Sequence, residues 1–483
     1  MHLVRRWHQI RSAAANYSRH INRYSVSVFI LDPVFDLAQA VSNTSPRSVP
    51  TDVLEFTKLT VLDTLGVLIA GRDAPGCPAA VNLVKAWGGA RESSVFRYGE
   101  RVPTPNAAFA NSVMARALDY DTAARPGLHL SASTVIAALA VGEKIGASGI
   151  DVLAAIAMGD DLALRINRIT NSGATYNGYE PTGVSGVFAV AAVAGKLMGL
   201  NSEGIRNALG IAFVRSGGSF QSNADGALTV RFNQGFTSYH GVLSAELASR
   251  GVTGPKNVFS GRFGYYRLFS GGAVDEHDLL DGLGKEFLGP RYIMFKMWPI
   301  GGVMLSPVDC LIREMERSGI SPEDVEKITA FIGPYAYGIA GRPFEPGDIP
   351  QASAQFNLQY AIADVVVRGH PSLEHFDGKS VLHDGVLRFL RRVRVVEDPS
   401  IDTEFRSRIS MTLRGGSHLD VECGPPRGHP DNPVGSKEIV EKFIRTSGYS
   451  SKPLGMDAAK ELVRLVMRMD SMGDLRELIE LLV

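Results

Sequence analysis

A long helical pattern is the feature that most limits what this chain can fold into. Between Thr51 and about Gly282, apolar side chains recur at three- and four-residue spacings, as they do from Val53 to Leu65. Stretches rich in alanine, such as 131–145 and 186–200, predict helices that pack closely against one another. Strand patterns are scarce in this region. The sequence therefore predicts a large all-α domain.

The pattern changes near Arg291, where short runs with β-branched residues alternate with helical segments. The runs are 325–332, 393–396 and 409–413, and the helical segments between them include 303–317 and 356–367. Such a mixture is typical of an α+β domain. After Asn432 and Pro433 the pattern is helical again. We expect a mainly α protein with a helical domain over 33–290, a smaller α+β lid domain over 291–425, and C-terminal helices over 426–483 that return to the helical domain.

The N-terminal segment, residues 1–32, differs in composition from the rest. No acidic residue occurs before Asp32, while five arginines do: Arg5, Arg6, Arg11, Arg19 and Arg23. An acid-free leader rich in Arg and Ser is typical of a mitochondrial presequence. A disordered extension of a cytosolic protein has the same composition. The sequence therefore leaves a mitochondrial and a cytoplasmic location open.

Composition narrows the classes of partner. Lys plus Arg and Asp plus Glu each number 50, so no net charge attracts nucleic acid or an anionic membrane. We find no apolar run of the length that spans a bilayer. The three cysteines, Cys77, Cys310 and Cys423, form neither a disulfide framework nor a metal-ligand spacing. We expect no nucleic-acid partner, no membrane span and no metal site.

The densest group of reactive side chains lies between two predicted helices. Asp119, Asp121, Thr122 and His129 fall within eleven residues of one another. A histidine near a helix start is suited to act as a general acid or base toward an anionic substrate. Alternatively, Asp119 and Ser131 could simply cap the adjoining helices.

Three further places carry polar residues that could bind a carboxylate. Glu180 and Thr182 precede an alanine-rich helix, whose first N–H groups could face an anion. Arg231 and Asn233 lie in a stretch that we interpret as a polar turn, where a guanidinium could clamp a carboxylate. Lys296 lies at the expected domain junction, where ligand sites are common. An ordinary helix cap, a surface arginine and a solvated lysine explain the same residues equally well.

The order of these motifs resembles one family. From about Val53 to Phe443 the chain is similar to MmgE/PrpD proteins, the family of 2-methylcitrate dehydratase and cis-aconitate decarboxylase. The matching stretches are TVLDTLGVLIAG, NAAFANSVMARALDYDT, GYEPTGVSGVFAVAAVAGKLMGL, RFNQGFTSYHGVLSAELASRGVTGP, FSGRFGYYRLF, FKMWP and NPVG. The run LDYDT with a histidine ten residues after Asp119 is the most specific of them.

The resemblance implies a helical domain with an α+β lid, a homodimer, and a site between the domains that works without a metal or other cofactor. It implies a lyase that dehydrates or decarboxylates a small carboxylate. It carries catalytic roles to Asp119 and His129, and a substrate contact to Lys296. We also predict substrate contacts from Asp121, Thr122, Thr182, Arg231 and Asn233.

The chain departs from the family pattern at several of these positions. Glu180 stands where the family has His, and Val230 stands where it has Lys. The decarboxylases place a His where Gly301 or Leu305 occurs here. These changes remove positive charge and add a carboxylate, so a citrate-like trianion should bind poorly. A substrate with one or two carboxylates and a larger apolar part fits better, with Met297, Trp298 and Val230 as candidate contacts.

Three functions are compatible with this pattern. In the first, His129 or Glu180 is the base of a lyase, Asp119 orients it, and Arg231 and Lys296 hold the substrate. In the second, the same proton transfer serves an isomerase, epimerase or cyclase of a specialised pathway. In the third, the chain is an inactive homologue that acts as a binding partner. We favour the lyase.

Overall fold

The computed structural model describes residues 31–170, 178–271 and 274–483. Most of the N-terminal extension, residues 1–30, lies outside these described ranges. Pro33–Val483 form one compact unit. In the described ranges, no helix has both the length and the hydropathy needed to cross a membrane.

The fold is mainly α, as predicted, and its helices form most of residues 34–292. They are α1 Val34–Asn43, α2 Thr51–Gly71, α3 Cys77–Trp87, α4 Thr104–Arg116, α5 Ser131–Ile145, α6 Gly149–Thr170, α7 Pro181–Val184, α8 Gly186–Leu197, α9 Ser202–Phe213, α10 Gln221–Ala224, α11 Thr229–Ser249, α12 Tyr265–Phe269, α13 Glu276–Leu280 and α14 Gly289–Tyr292. The predicted helix over 131–145 is confirmed. It ends where Gly146 takes the left-handed conformation, with φ 66°, that commonly follows a helix.

The second half of the chain adds further helices. They are α15 Leu305–Ser318, α16 Pro334–Ala340, α17 Pro350–Gln355, α18 Leu358–Arg368, α19 Asp384–Phe389, α20 Ser436–Ser447, α21 Met456–Met467 and α22 Arg476–Leu482. Short 3-10 turns occur at Pro46–Ser48, Gly302–Met304, Leu373–Phe376, Ser380–Leu382, Leu390–Arg392 and Met469–Ser471.

The strands form one sheet and two short ribbons. They are β1 Ser93–Ser94, β2 Arg101–Val102, β3 Ala123–Ala124, β4 Ile293–Met294, β5 Val325–Ile332, β6 Val393–Glu397, β7 Ser407–Leu413 and β8 His418–Cys423. The sheet has the order β6-β5-β7-β8, and only the β5–β6 pair is parallel. The three predicted strands are confirmed. β8 was not predicted, because its sequence, HLDVEC, has no run of β-branched residues. It is an edge strand of the sheet, and most of its side chains are exposed or only partly buried.

Two large helical cores, one sheet core and a smaller apolar cluster hold the described residues together. The sheet core joins Ile328, Ala330 and Ile332, which share one face of β5, to residues of α15 and α18. One helical core includes residues of α2, α4 and α5 together with residues of α20, α21 and α22. The C-terminal helices therefore pack on the helical part. The boundaries proposed at 290 and 425 stay a prediction.

A glycine fixes how closely the C-terminal return approaches the helical part. A Cβ at Gly66 of α2 would collide with Oγ1 of Thr446 and would lie 3.1 Å from the Phe443 ring, both on α20. The absence of a side chain at Gly66 lets α20 lie directly against α2. This approach matters for function, because α20 carries a lysine that reaches the candidate site.

Candidate active site

The loop after α4 holds the first group of predicted residues. Asp119 has a φ of 51°, a left-handed conformation that is uncommon for a residue with a side chain. Four residues later, β3 pairs with β4, with Ala123 opposite Met294. The short ribbon brings the segment after β4, including Lys296, beside the Asp119 loop. Residues far apart in sequence meet here because of this pairing.

Lys296 holds the loop from one side. Its side chain is fully buried, and Nζ donates to the Asp119 carbonyl at 3.0 Å, to Asp119 Oδ2 at 2.8 Å and to the Ile300 carbonyl at 3.2 Å. An ammonium group has three donors, so these bonds use all of them. Lys296 therefore positions Asp119. The predicted substrate contact of Lys296 does not fit this arrangement.

A second buried lysine holds the loop from the other side. Nζ of Lys442, on α20, donates to the Tyr120 carbonyl at 2.7 Å and lies 3.9 Å from the centre of the Tyr120 ring. The same Nζ is 2.7 Å from Oδ1 of Asp63 on α2. The Tyr120 hydroxyl donates to the Met297 carbonyl at 2.8 Å. These contacts tie the unusual backbone of the loop to both halves of the chain.

Arg116 is the central cation of the site, and the sequence analysis missed it. It is the last residue of α4 and is buried. Nη1 donates to Oδ1 of Asp119 and lies 3.6 Å from Oδ1 of Asp121, while Nη2 lies 3.2 Å from Nε2 of His129. The signal that could have found it is an arginine three residues before Asp119 in a helix with no other charged residue. Burying that charge requires nearby carboxylates.

His129 is oriented by Asp121 and Arg116. Nδ1 of His129 lies 3.1 Å from Oδ2 of Asp121. A guanidinium can only donate and an ionised carboxylate can only accept, so the proton is on Nδ1 and Nε2 accepts from Arg116. Burial lowers the pKa of His129, and the charges of Arg116 and Lys296 lower it further, while Asp121 opposes them. The imidazole is therefore neutral, with a basic Nε2.

Asp119 and Asp121 are the ionised members of the cluster. Burial acts to raise the pKa of Asp119, but the charges of Arg116 and Lys296 outweigh it and hold that pKa well below its usual range. Burial is likewise outweighed at Asp121, whose pKa is lowered by His129 and Arg116. Asp121 contacts the imidazole, whereas Asp119 contacts Arg116 and Lys296. The expectation that Asp119 orients the base is therefore corrected to Asp121.

Glu180 lies directly before α7 and is buried. Nδ2 of Asn233, on α11, donates to Oε2 of Glu180. Burial raises the pKa of Glu180 to about 7, although Arg116, Asn233 and Thr182 favour the ionised form. Thr182 also accepts the His129 backbone N–H at 3.1 Å, so it links the segment of Glu180 to that of His129.

These side chains surround a small cavity of about 50 Å³. The polar side chains that line it are Arg116, His129, Glu180, Asn223, Tyr335 and Glu404, and the apolar ones include Phe220, Met294, Val303, Ile339, Phe356 and Phe405. Gly301, one of the two candidate positions that the resemblance gives for the decarboxylase histidine, lines the wall. The apolar contacts expected from Met297, Trp298 and Val230 are not in the described lining.

Several predicted residues have other partners. Arg231 lies in the first turn of α11, so the expected polar turn is wrong, and its Nη1 donates to the Pro75 carbonyl at 2.8 Å. Oγ1 of Thr122 lies 2.5 Å from Oγ of Ser131, which shows that Ser131 bonds to Thr122 and does not cap α5. Neither Arg231 nor Thr122 lines the cavity as described. Among the described residues, the site unites Asp119, Asp121, His129, Glu180, Thr182, Asn233 and Lys296.

The same cluster offers a possible metal-ligand set. Asp119, Asp121 and His129 place one potential ligand atom each within 4.8 Å of one another. The carboxylates already bind Arg116, Lys296 and the imidazole, and these two cations balance the two ionised aspartates. A divalent cation would have to displace them or lie beside them. The donor set fits an acid–base cluster better than a metal site.

Replacing Lys296 with methionine is expected to destabilise the protein by about 3–5 kcal/mol, because Asp119 would lose a buried partner. Urea unfolding followed by circular dichroism measures this change. Lys437→Met is the control, since Lys437 is exposed and pairs with Glu441 only at 3.8 Å, and it should cost less than about 1 kcal/mol. Equal stability of the two variants would contradict the role given to Lys296.

Comparison with known proteins places this geometry in context. The model of the MmgE/PrpD N-terminal domain matches residues 35–277, and that of the MmgE/PrpD C-terminal domain matches residues 298–463. A cis-aconitate decarboxylase of Aspergillus terreus is 25% identical over 476 residues, which cover 92% of this chain and 95% of the relative. The cis-aconitate decarboxylases of Mus musculus and Homo sapiens are each 24% identical over 446 residues, 89% of this chain and 89% and 90% of the relatives.

Proposed function

Because the chain belongs to the MmgE/PrpD family, we propose that its buried cavity is the active site of a lyase. The substrate would be a small carboxylate-bearing molecule that loses water or carbon dioxide. One observation carries the proposal: a neutral imidazole, a protonatable carboxyl group and a guanidinium line the same small cavity. These are the base, the acid and the carboxylate anchor that such a reaction needs.

Arg116 would bind the substrate carboxylate. Its guanidinium lines the cavity, and among the described residues its Nε–H has no acceptor. A buried donor without an acceptor is costly, so a ligand carboxylate would complete its hydrogen bonding. When Nη2 turns toward the substrate, Nε2 of His129 is released from its 3.2 Å contact. Substrate binding would thereby expose the base.

His129 and Glu180 would divide the proton transfers. The lowered pKa of His129 keeps it unprotonated, and the pKa of about 7 keeps Glu180 partly protonated at neutral pH. Two groups whose pKa values are pushed apart in this way suit base and acid roles. Glu180 thus takes the place of the family histidine as proton donor.

The atoms balance for either leaving group. In a dehydration, His129 Nε2 takes the proton from the carbon next to the carboxylate, a C=C bond forms, and the C–O bond breaks. Glu180 protonates the departing oxygen, which leaves as water. In a decarboxylation, the C–C bond to a carboxylate breaks, carbon dioxide leaves, and Glu180 protonates the carbon that keeps the electron pair. This route uses the acid, and His129 takes no proton from carbon. Neither route needs an oxidant.

The proposed enzyme would need no cofactor, because side chains supply the acid, the base and the carboxylate anchor. The homodimer is part of the same proposal and is carried over from the family.

Citrate-like trianions are expected to bind weakly, because the cavity presents Glu180 and Glu404 beside a single guanidinium. In a thermal-shift titration, cis-aconitate and 2-methylcitrate should not stabilise the wild type at micromolar concentration. Glu180→His restores the family residue and removes a carboxyl group, so it should bind cis-aconitate about tenfold more tightly or better. Micromolar stabilisation of the wild type would overturn this account of the charges.

An untargeted metabolite comparison of the wild type and His129→Ala tests the proposed class. A lyase predicts a product that differs from its substrate by water or by carbon dioxide. An isomerase is the second candidate, because an acid and a base that line one cavity can also move a proton within a substrate. It would yield a product with the same mass as its substrate. No metabolite change with either protein would leave only the inactive homologue.

A further inference from the structure

A second, larger cavity, the outer cavity, adjoins the small cavity at Arg116, His129 and Glu180, the inner cavity. The outer cavity has a volume of about 730 Å³, and Tyr335 and Glu404 line both cavities. We propose that the outer cavity binds an uncharged tail of the substrate, whose carboxylate end occupies the inner cavity at Arg116. This inference rests on the proposed function. It narrows the substrate class to amphiphilic carboxylates, which carry one charged end and an apolar chain.

Volume is the first argument. The inner cavity of about 50 Å³ has room for a fragment of a few atoms, such as one carboxyl group. Sites for small organic ligands usually enclose about 300–1,000 Å³, and the outer cavity of about 730 Å³ falls in that range. Together the two cavities match a molecule with a small reacting head and a bulkier remainder.

The barrier between the cavities is made of side chains that can move. Nε of Arg125 donates to Oε1 of Glu404 at 3.1 Å, and the Glu404 side chain is only 8% exposed. Arg125 follows β3 and Glu404 precedes β7, so this ion pair joins the helical part to the sheet part. The guanidinium also lies 4.9 Å from the centre of the Phe405 ring, which lines the inner cavity. A rotation of Arg125 and Glu404 would connect the cavities.

Close packing at Gly127 restricts where a tail can pass. A Cβ at Gly127 would lie 2.9 Å from the Tyr335 hydroxyl and 2.9 Å from Cζ of Phe220. The wall formed by these three residues is therefore already in contact. The Arg125–Glu404 pair, which is polar and partly solvated, offers the easier path.

Charge is the argument for an uncharged tail. Both arginines of the outer cavity are paired, Arg125 with Glu404 at 3.1 Å and Arg168 with Asp278 at 2.7 Å. Asp402 adds a further negative charge to the lining. In the described lining, no cation is left over for a second anionic group. The remaining surface is largely apolar and includes Pro126, Tyr292, Pro334, Ala336, Pro399 and Ile401.

Binding of straight-chain monocarboxylates to the full chain tests the inference. Propanoate, butanoate, hexanoate and octanoate are titrated by calorimetry, with thermal shift as a second readout. The affinity of the wild type is expected to rise about two- to fourfold per added methylene, as apolar burial predicts. Thr403→Trp, which fills the outer cavity, should bind octanoate no more tightly than propanoate. Ile401→Asp should weaken octanoate binding at least about tenfold and serves if the Trp variant misfolds.

Gly378→Trp is the matched control, because Gly378 is exposed, has no atom within 4 Å of its added Cβ, and lines a different cavity. It should reproduce the wild-type series. A series that binds without a length dependence overturns the inference and leaves the proposed function standing. A length dependence that survives in both outer-cavity variants also overturns it. Failure of every carboxylate to bind overturns the inference together with the proposed carboxylate site.

Discussion

For a dehydration, replacing His129 with alanine is expected to lower turnover by about two to four powers of ten, which is the usual contribution of a positioned acid or base. Among the described residues of the cluster, His129 is the only side chain that lines the cavity as a neutral group with an unprotonated nitrogen. That nitrogen, Nε2, faces Arg116, while Nδ1 bonds to Asp121. The loss should appear in kcat, because the substrate carboxylate is bound by Arg116. Steady-state kinetics with the substrate from the metabolite screen measures it.

The fold should survive this change. His129 contributes two side-chain hydrogen bonds, whereas Lys296 and Lys442 hold the loop from elsewhere. The circular dichroism spectrum of His129→Ala should therefore match the wild type. His418→Ala, on the exposed edge strand β8, is the control and should retain full activity. Turnover of His129→Ala within a few-fold of the wild type would remove His129 from the mechanism.

Glu180→Gln is expected to have a comparable effect, because an amide cannot donate a proton to the product or leaving group. With the pKa of Glu180 raised to about 7, the protonated acid is lost above neutral pH. We expect kcat/KM of the wild type to fall about tenfold per pH unit above that point. The residual activity of the variant should lack this limb. A fully active variant with the same pH profile would make Glu180 a spectator.

The same carboxyl group should make stability depend on pH in a defined direction. The pKa of Glu180 rises from 4.5 to about 7 on folding, so between these values the unfolded chain binds fewer protons than the folded one. The stabilising contribution of the Glu180 carboxyl group to the free energy of unfolding is fully present below pH 4.5 and is lost as the pH rises through about 7. The wild type should therefore lose stability between pH 4 and pH 8, whereas Glu180→Gln should not lose this contribution. The difference in free energy of unfolding between the variant and the wild type should change in favour of the variant by at most about 3 kcal/mol over this range.

Sequence periodicity was sufficient for the fold and for part of the site. The helix over 131–145 and the strands over 325–332, 393–396 and 409–413 follow from apolar spacing and β-branched residues alone. Asp119 and His129 were found as reactive side chains between two predicted helices, and the family resemblance gave them catalytic roles. Glu180 was found because it stands where the family has His. Those signals are local in the chain, and local signals can be read without a structure.

The roles within the site could not be read in the same way. Lys296 reaches Asp119 only because β3 pairs with β4, a contact between residues 177 positions apart. Arg116 was missed because an arginine at a helix end has many ordinary explanations. The sign of the pKa shift of His129 depends on burial and on Arg116 together, and neither is visible in sequence. Arg231 was misplaced because its polar neighbours were taken for a turn when they begin α11.

The central claim is that His129 and Glu180 transfer protons at a carbon next to a carboxylate held by Arg116. Its most direct test is to incubate the wild type and His129→Ala in deuterium oxide with the substrate from the metabolite screen, and to follow proton exchange and product by NMR. With the wild type, we predict that deuterium is incorporated at that carbon or into the product. With His129→Ala, the rate of incorporation should be at least about a hundredfold lower. Equal incorporation by both proteins would contradict the claim.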